Sequence, residues 1–391
     1  MGRSGQPAII GGDPAFIDPI PFVRPVVEEP GRVLSLMESS ITSGRLTDGP
    51  LVRTLEQRIA ERFEVRHCLA VSSCTTGLIL VLQVLAGRRA ALPSFTFSAT
   101  AHAARWNRMD IRFTDCDPNT WVMGPDNIEG EPEVIIGVHI SGVPCDVRSL
   151  EARARKLGSA LVFDAAHGAG SLIDDEGRLR PLGSFGLAEV FSLTPTKVLS
   201  GAEGGLVTTN DDELASTIRR ARNYGNPGSY DTLEPGLNGR MSEFHAAIVL
   251  SGLDHLENRV ATRNTLAAGY RERLGHLPGI GFQTVPAGRR SSMKDFTIVV
   301  SSEFGLARDH VVRALVAEGI PTRPYYSPPV HRQTAYSDVT GPALPNTDAL
   351  AAGVVSLPIW SHMTIELVDR ISDAISRIHH HWREISAAIG E

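Results

Sequence analysis

The stretch that most constrains this chain is residues 160–209, where two short apolar runs each lead to a chemically active side chain. The first, Ala160 to Phe163, stops at Asp164. The second, Ala188 to Leu193, passes through Ser192 and leads to Lys197, and a glycine-rich turn follows it. Runs of four to eight apolar residues between helix-like stretches read as buried parallel strands. In open α/β sheets, ligands gather at the carboxyl ends of such strands. Asp164 and Lys197 are therefore expected on one rim, a carboxylate and an amine presented to the same cavity.

A carboxylate and an amine so placed suit pyridoxal 5′-phosphate. That cofactor draws electrons from a substrate carbon only while its ring nitrogen is protonated, and a buried carboxylate holds that proton. A lysine closes a Schiff base on the aldehyde and carries protons once the substrate amine displaces it. An ordinary lysine has a pKa near 10.4, so only about one in a few thousand is neutral at pH 7. Imine formation removes that handicap and partial burial lessens it. Taken singly, Asp164 also fits a helix cap and Lys197 a solvated side chain, so the rest of the chain has to decide.

Length and charge narrow the setting. A chain of 391 residues exceeds a usual single core and implies two domains or one large one. The net charge of −6 and pI near 6.1 disfavour nucleic acid as a partner. The longest apolar stretch, Leu78 to Ala86, is interrupted by Gln83 and too short to span a bilayer. The N-terminus lacks a signal peptide's basic-then-apolar layout, so a cytoplasmic protein is expected. Cys68, Cys74, Cys116 and Cys145 show no CxxC spacing, which supports neither a zinc site nor a disulfide framework. His379, His380 and His381 are consecutive, and helical neighbours point about 100° apart, so a solvated face is expected there rather than a metal site.

Residues 1–30 carry six prolines and little periodicity and read as an extended arm. From Pro50, the spacing of Val52, Leu55, Ile59 and Phe63 predicts a helix. A strand follows at His67–Ser72, then Ser73, Cys74, Thr75 and Thr76 open an apolar helix. Small hydroxyl residues there cap free N–H groups and make an anion site. Further strands are expected at 89–94, 110–115 and 133–140. With 160–163, 188–193 and 205–209 the total is seven, and helical stretches such as Val147/Leu150/Ala154/Leu157 lie between several of them. The fold class is α/β, a mostly parallel seven-stranded sheet covered on both faces. A nicotinamide fold would need GxGxxG after the first strand, where this chain has Ser-Ser-Cys-Thr-Thr-Gly, and no P-loop motif is present. A long helical region is expected from Arg240 to about Leu274. Beyond it, a strand at 296–300, a helix near 310–318, a Pro/Tyr-rich loop at 321–329 and a final helix carrying Val368, Ile371, Ile375, Ile378, Trp382 and Ile385 describe a smaller α+β domain. The expected division is an arm at 1–30, a large cofactor-binding domain at 31–255 and a small domain at 256–391.

These ordered elements resemble the DegT/DnrJ/StrS family of sugar aminotransferases, which are fold-type I pyridoxal phosphate enzymes. The resemblance covers nearly the whole chain. It is carried by Ser72-Ser-Cys-Thr75, Leu92-Pro-Ser-Phe-Thr-Phe-Ser-Ala-Thr100, Asp164-Ala-Ala-His167, Phe191-Ser192 through Lys197 to Glu203-Gly-Gly205, Gly236-Leu-Asn-Gly-Arg-Met-Ser-Glu243, and Tyr325-Tyr326 through His331. It implies that Lys197 forms the Schiff base and moves protons, that Asp164 bonds the ring nitrogen, and that His167 lies beside the 3-hydroxyl. Phe97 would stack on the ring. Thr75, the Cys74 turn and Ser192 would bind the phosphate, joined by Asn238 from the other subunit of a homodimer. Tyr326 and His331 are expected at the substrate. Two departures stand out: Cys74 where glycine is commoner, and Val198 after the lysine where Asn is frequent.

The implied reaction is amination of a nucleotide-activated keto-sugar, with glutamate converting the cofactor to pyridoxamine 5′-phosphate. Glu203-Gly204-Gly205 resembles members acting at C4, which points to a 4-keto-6-deoxyhexose. The rivals are a keto-cyclitol aminotransferase of aminoglycoside type, a sugar dehydratase, and a non-catalytic binding protein on the same fold. Dehydratase relatives replace the lysine with histidine, and the intact lysine, aspartate and phosphate motifs speak against a binding protein. A Ser/Thr–Lys hydrolase at Thr194-Pro-Thr-Lys197 lacks any accompanying motif.

Overall fold

The computed structural model describes residues 5–390. Its central sheet has the strand order His67–Val71, Gly205–Thr209, Ala188–Ser192, Ala160–Asp164, Val134–Val138, Arg89–Pro93, Asp110–Thr114. These are the seven strands expected from the apolar runs. Within the sheet only Gly205–Thr209 runs against its neighbours; the five strands on its far side pair in parallel.

Side-chain alternation along the central strands divides the core. Phe163 and Phe191 point to one face and pack with Leu55, Ile59 and Leu253. Val162 and Val190 point to the other and pack with Leu78, Val81 and Ala101. Helices cover both faces, which is why strands 134–138 and 188–192 are buried at every position. The register sets Asp164 beside Val138 and Val190, and Gly205 beside Ser192 and Val71. One rim of the sheet thus carries the ends of strands 67–71, 160–164 and 188–192 and the start of the antiparallel strand.

A second, three-stranded antiparallel sheet joins Ile280–Phe282, Phe296–Val300 and Val354–Leu357. Its core gathers Leu266, Tyr270, Ile298, Leu315 and Ile371. A hairpin, Leu172–Asp175 with Arg178–Pro181, pairs with Arg289–Arg290.

Two expectations are corrected. The arm is not simply extended: residues 8–10 form a 3-10 turn, Phe16 is buried in the small-sheet core, and Pro30 already starts a helix, Pro30–Ser43. The Ala8 and Ala15 amides donate to the buried Glu318 carboxylate at 2.9 and 2.7 Å, which docks the arm. Residues 1–4 of the expected arm lie outside the described residues. The long helical region is two helices, Glu243–Leu253 and Leu256–Leu274. Leu253, Leu256 and Val260 face the large core, whereas Leu266, Tyr270 and Leu274 face the small one. The break at Asp254 and His255 redirects the chain between them.

Candidate active site

The site begins where strand 67–71 meets the helix Cys74–Leu85. Ser73 caps that helix, its side chain accepting the Thr76 amide at 3.0 Å. The Ser72 and Ser73 hydroxyls both lie against the Thr76 hydroxyl, at 3.0 and 2.9 Å. The Cys74 and Thr75 amides, in the first helical turn, have no intrahelical partner and are open donors to an anion. Ser192 stands on the adjoining rim, beside the Thr194 hydroxyl at 3.4 Å. The turn can seat this close only because residue 205 is glycine. A Cβ there would lie 2.5 Å from the Cys74 nitrogen and 2.6 Å from the Ser73 carbonyl carbon.

Asp164 closes its strand on the same rim and is buried. One oxygen accepts the Ala166 amide at 3.0 Å, and the other accepts the Thr100 hydroxyl at 2.7 Å. The Cys74 thiol lies 4.0 Å from the first oxygen. Burial raises the Asp164 carboxyl above its ordinary range, against the pull of these hydrogen bonds and of Lys197. Cys74 is thus more than a backbone donor: its side chain fills the space beneath the carboxylate. Burial, and then Asp164, keep that thiol protonated. Thr100 was assigned no role from sequence. Its spacing from Thr96, one helical turn away and 3.0 Å between hydroxyls, was the available signal.

His167, also buried, accepts the Ser141 amide at Nδ1 (3.1 Å), which leaves Nε2 carrying the hydrogen. Burial, then the charges of Lys197 and Lys294, hold the ring neutral. Lys197 has its pKa lowered to about 7, by burial first and by Lys294 next. It lines a recess of about 20 Å³, near the size of one water, together with Arg24, Arg259, Arg263, Ser361 and His362. The arm therefore closes over one side of this lysine.

The remaining expected residues differ in what they touch. Phe97 is 61% exposed, which rules out a core role and leaves its ring face open at the start of the helix Ser98–Trp106. Tyr326 stacks on Tyr325 and meets Phe95 edge-on at 5.7 Å. Burial raises its phenol, followed by the nearby Asp295 and Asp164 charges, which locates it at the site. His331 is engaged elsewhere: Nδ1 lies 2.6 Å from the Ser94 hydroxyl and Nε2 3.1 Å from Asp348. Nδ1 is thus committed within the protein, whereas Nε2 lies buried beside Asp348 without a hydrogen bond. Asn238 is exposed, while its neighbour Gly239 accepts the Ser72 amide at 2.8 Å. Sequence reasoning missed the buried pair Lys294–Asp295, which joins the site from the small domain.

These groups fit pyridoxal phosphate: an open helix start for a phosphate, a buried carboxylate without a bonded cation, and an amine held near neutrality. Residues 30–376 match the DegT/DnrJ/EryC1/StrS aminotransferase family. The chain belongs to this family. It is a pyridoxal phosphate-dependent aminotransferase. Among its relatives is a UDP-N-acetyl-3-dehydro-alpha-D-glucosamine 3-aminotransferase of Acidithiobacillus ferrooxidans, 34% identical over 84% of this chain and 88% of that protein. The structure of DesI in the presence of its TDP-sugar product superposes with a TM-score of 0.92 at 34% identity, over 100% of both chains. DesV of S. venezuelae follows at 0.85 and 29%, over 93% of this chain and 99% of that one. Among the described residues no helix is long and apolar enough to cross a membrane, and no cluster of side chains could hold a metal ion.

Proposed function

We propose that this enzyme aminates a nucleotide-linked 4-keto-6-deoxyhexose at C4, with glutamate as the amino donor. The observation that carries this reading is the full-length likeness to DesI, whose structure was solved with a TDP-sugar product. The Glu203-Gly204-Gly205 turn, at the rim beside Ser192, supports it. Amination at C3 is the second reading, favoured by the Acidithiobacillus relative. The test incubates the enzyme and glutamate with a TDP-4-keto-6-deoxyhexose, a UDP-3-keto-sugar and a keto-cyclitol, and follows amino product by mass spectrometry. Turnover of the first substrate alone upholds the proposal; turnover of the second or third in its place overturns it.

When bound, the cofactor supplies an aldehyde that takes up the amino group and a ring that withdraws electrons from the adjacent carbon. The residues divide the remaining work. The Cys74 and Thr75 amides, the Thr75 hydroxyl and Ser192 bind the phosphate dianion, favoured by the helix dipole. Asp164 holds the ring-nitrogen proton, with Thr100 and the Ala166 amide fixing its orientation. His167 would donate from Nε2 to the ring oxygen, and Phe97 would cover the ring face. Lys197, its pKa lowered to about 7, would be the amine that takes up and returns protons there.

Asn238 would complete the phosphate site of a second copy of the chain. The Gly239 carbonyl accepts from its own Ser72 amide, which fixes the loop, while Asn238 beside it is exposed. Exposed Tyr224 and Leu237 flank it, apolar surface suited to a partner. Mixing Lys197→Ala with Asn238→Ala chains, each inactive alone, should restore activity in the heterodimer. No recovery in verified heterodimers would place Asn238 in its own chain's site.

A further inference from the structure

Three arginines are buried among the described residues, and two of them have carboxylate partners. Arg222 pairs with Glu56 and Asp48, and Arg259 pairs with Glu28. Arg263, 3% exposed on the helix Leu256–Leu274, is bonded to no carboxylate among the described residues. Its Nε donates to the Ser361 hydroxyl at 2.9 Å, and its Nη1 to the Met293 and Lys294 carbonyls at 3.1 and 3.0 Å. Nη2 has no hydrogen-bond partner among the described residues, yet it is not enclosed, so it opens on the recess that Arg263 lines. Asp295, the carboxylate whose charge reaches Arg263, gives both its oxygens to Lys294. A buried guanidinium without a bonded counter-charge is costly, which makes Arg263 the cationic counterpart of Asp164.

The recess around Arg263 is cationic throughout. Lys197, Val198, Ser361 and His362 form part of its wall, and the arm adds Arg24. Arg24 is exposed and makes no hydrogen bond or ion pair among the described residues. The charges around His362 are those of Arg24, Arg259 and Arg263 against Glu28 alone, and Glu28 is taken up by Arg259. Arg259 also fixes the geometry. Its Nη1 donates to the Val198 carbonyl at 2.9 Å and its Nη2 to the Val26 carbonyl at 3.3 Å, which ties the arm to the residue after Lys197. The Ser361 hydroxyl accepts from Arg263, so its own hydrogen is free to donate into the recess.

We propose that Arg263 and Arg24 form an anion subsite that receives a carboxylate of the amino donor and anchors it beside Lys197. A guanidinium matches a carboxylate with directed, paired bonds. The recess holds about 20 Å³, near one water, which suits one carboxylate oxygen and excludes a diphosphate. The chemistry of the two substrates agrees. Glutamate carries both carboxylates within a few bonds of the amine that must reach the group held by Lys197. A nucleotide-linked 4-keto-hexose has its diphosphate on C1, across the ring from the reacting carbon.

The inference rests on glutamate being the donor, and the test separates the two. Loaded enzyme is mixed with L-glutamate in single turnovers, and conversion of the cofactor to its amine form is followed by absorbance. Wild type that glutamate does not convert overturns the donor reading and this one with it; the variants bear on this one alone. Arg263→Gln should raise the glutamate concentration for half-maximal rate by about tenfold or more, as expected for a lost hydrogen bond between charged groups. Arg24→Gln, at an exposed residue with no bonds of its own to lose, should raise it about threefold. In both variants the return half-reaction, from the amine form with a nucleotide-linked keto-sugar, should stay within about twofold of wild type. An unchanged glutamate requirement in either folded variant overturns the proposal. So do equal losses in both half-reactions, the mark of a structural role, and a loss confined to the keto-sugar, the mark of a diphosphate site. Should Arg263→Gln fail to fold, Arg24→Gln alone decides.

Discussion

Two aspartates end strands of this protein and meet opposite fates. Asp175, at the end of Leu172–Asp175, is gripped by Arg148 on one oxygen and by Arg180 at 2.7 Å on the other. Hydrogen bonds from those two guanidiniums hold its carboxyl below the ordinary range. Asp164 receives a hydroxyl and an amide but no bonded cation, and burial holds it above the range. The first carboxylate has its counter-charge within the chain. The second is kept desolvated and oriented while its counter-charge must come from a ligand. A structural acid and a functional one are thus distinguished by which partner is missing.

Substitution at Asp164 should have the largest effect on this comparison. Asp164→Asn keeps the shape and removes the charge that holds a proton on the ring. The half-reaction with glutamate should slow by orders of magnitude in single-turnover measurements. A rate within about threefold of wild type, about 0.7 kcal/mol of barrier, would make Asp164 as structural as Asp175.

Next in size is Thr100→Val, which removes one hydrogen bond to a charged acceptor. Such a bond is worth about 1.5–3 kcal/mol. Its loss should slow the same half-reaction roughly tenfold, while Asp175→Asn leaves it unchanged. Equal effects of the two would erase the distinction.

The smallest effects are on stability, and they carry opposite signs. Raised in the folded state, the Asp164 carboxyl penalises the fold at pH above the unfolded value of about 3.9. Asp164→Asn should therefore raise the melting temperature of the apo-protein at neutral pH, and the gain should vanish in acid. Depressed in the folded state, Asp175 contributes stability above about pH 3.9 that is lost as pH falls through its folded value. Asp175→Asn should lower the melting temperature at neutral pH, by no more than about 1 kcal/mol of stability. Calorimetry of both variants at two pH values reads the signs directly.

Much of this site was legible because its residues sit at strand ends, where an apolar run of period-independent length stops at a polar side chain. The seven strands and the place of Asp164 at a strand end follow from that, whereas Lys197 lies five residues past the strand Ala188–Ser192. Thr100 was not legible as a partner of Asp164, because the contact joins residues 64 apart. The break at Asp254 carried no glycine or proline, so an apolar helix and its successor looked continuous. Lys294 stands in no motif. His331 shows the converse: it lies within a matching segment, yet its Nδ1 is taken up by Ser94.

The docked arm has a consequence for how the chain is made. Phe16, Ala8 and Ala15 leave the ribosome well before the surfaces that receive them, Leu315 and Glu318, which are translated about 300 residues later. At roughly 5–20 residues per second, the arm must wait on the order of 15–60 s for its site. Its six prolines interrupt its apolar residues, so no long strand-forming run is left to misassemble while it waits. The large sheet, complete by Thr209, can form in the meantime, and the earlier-made arm settles after it.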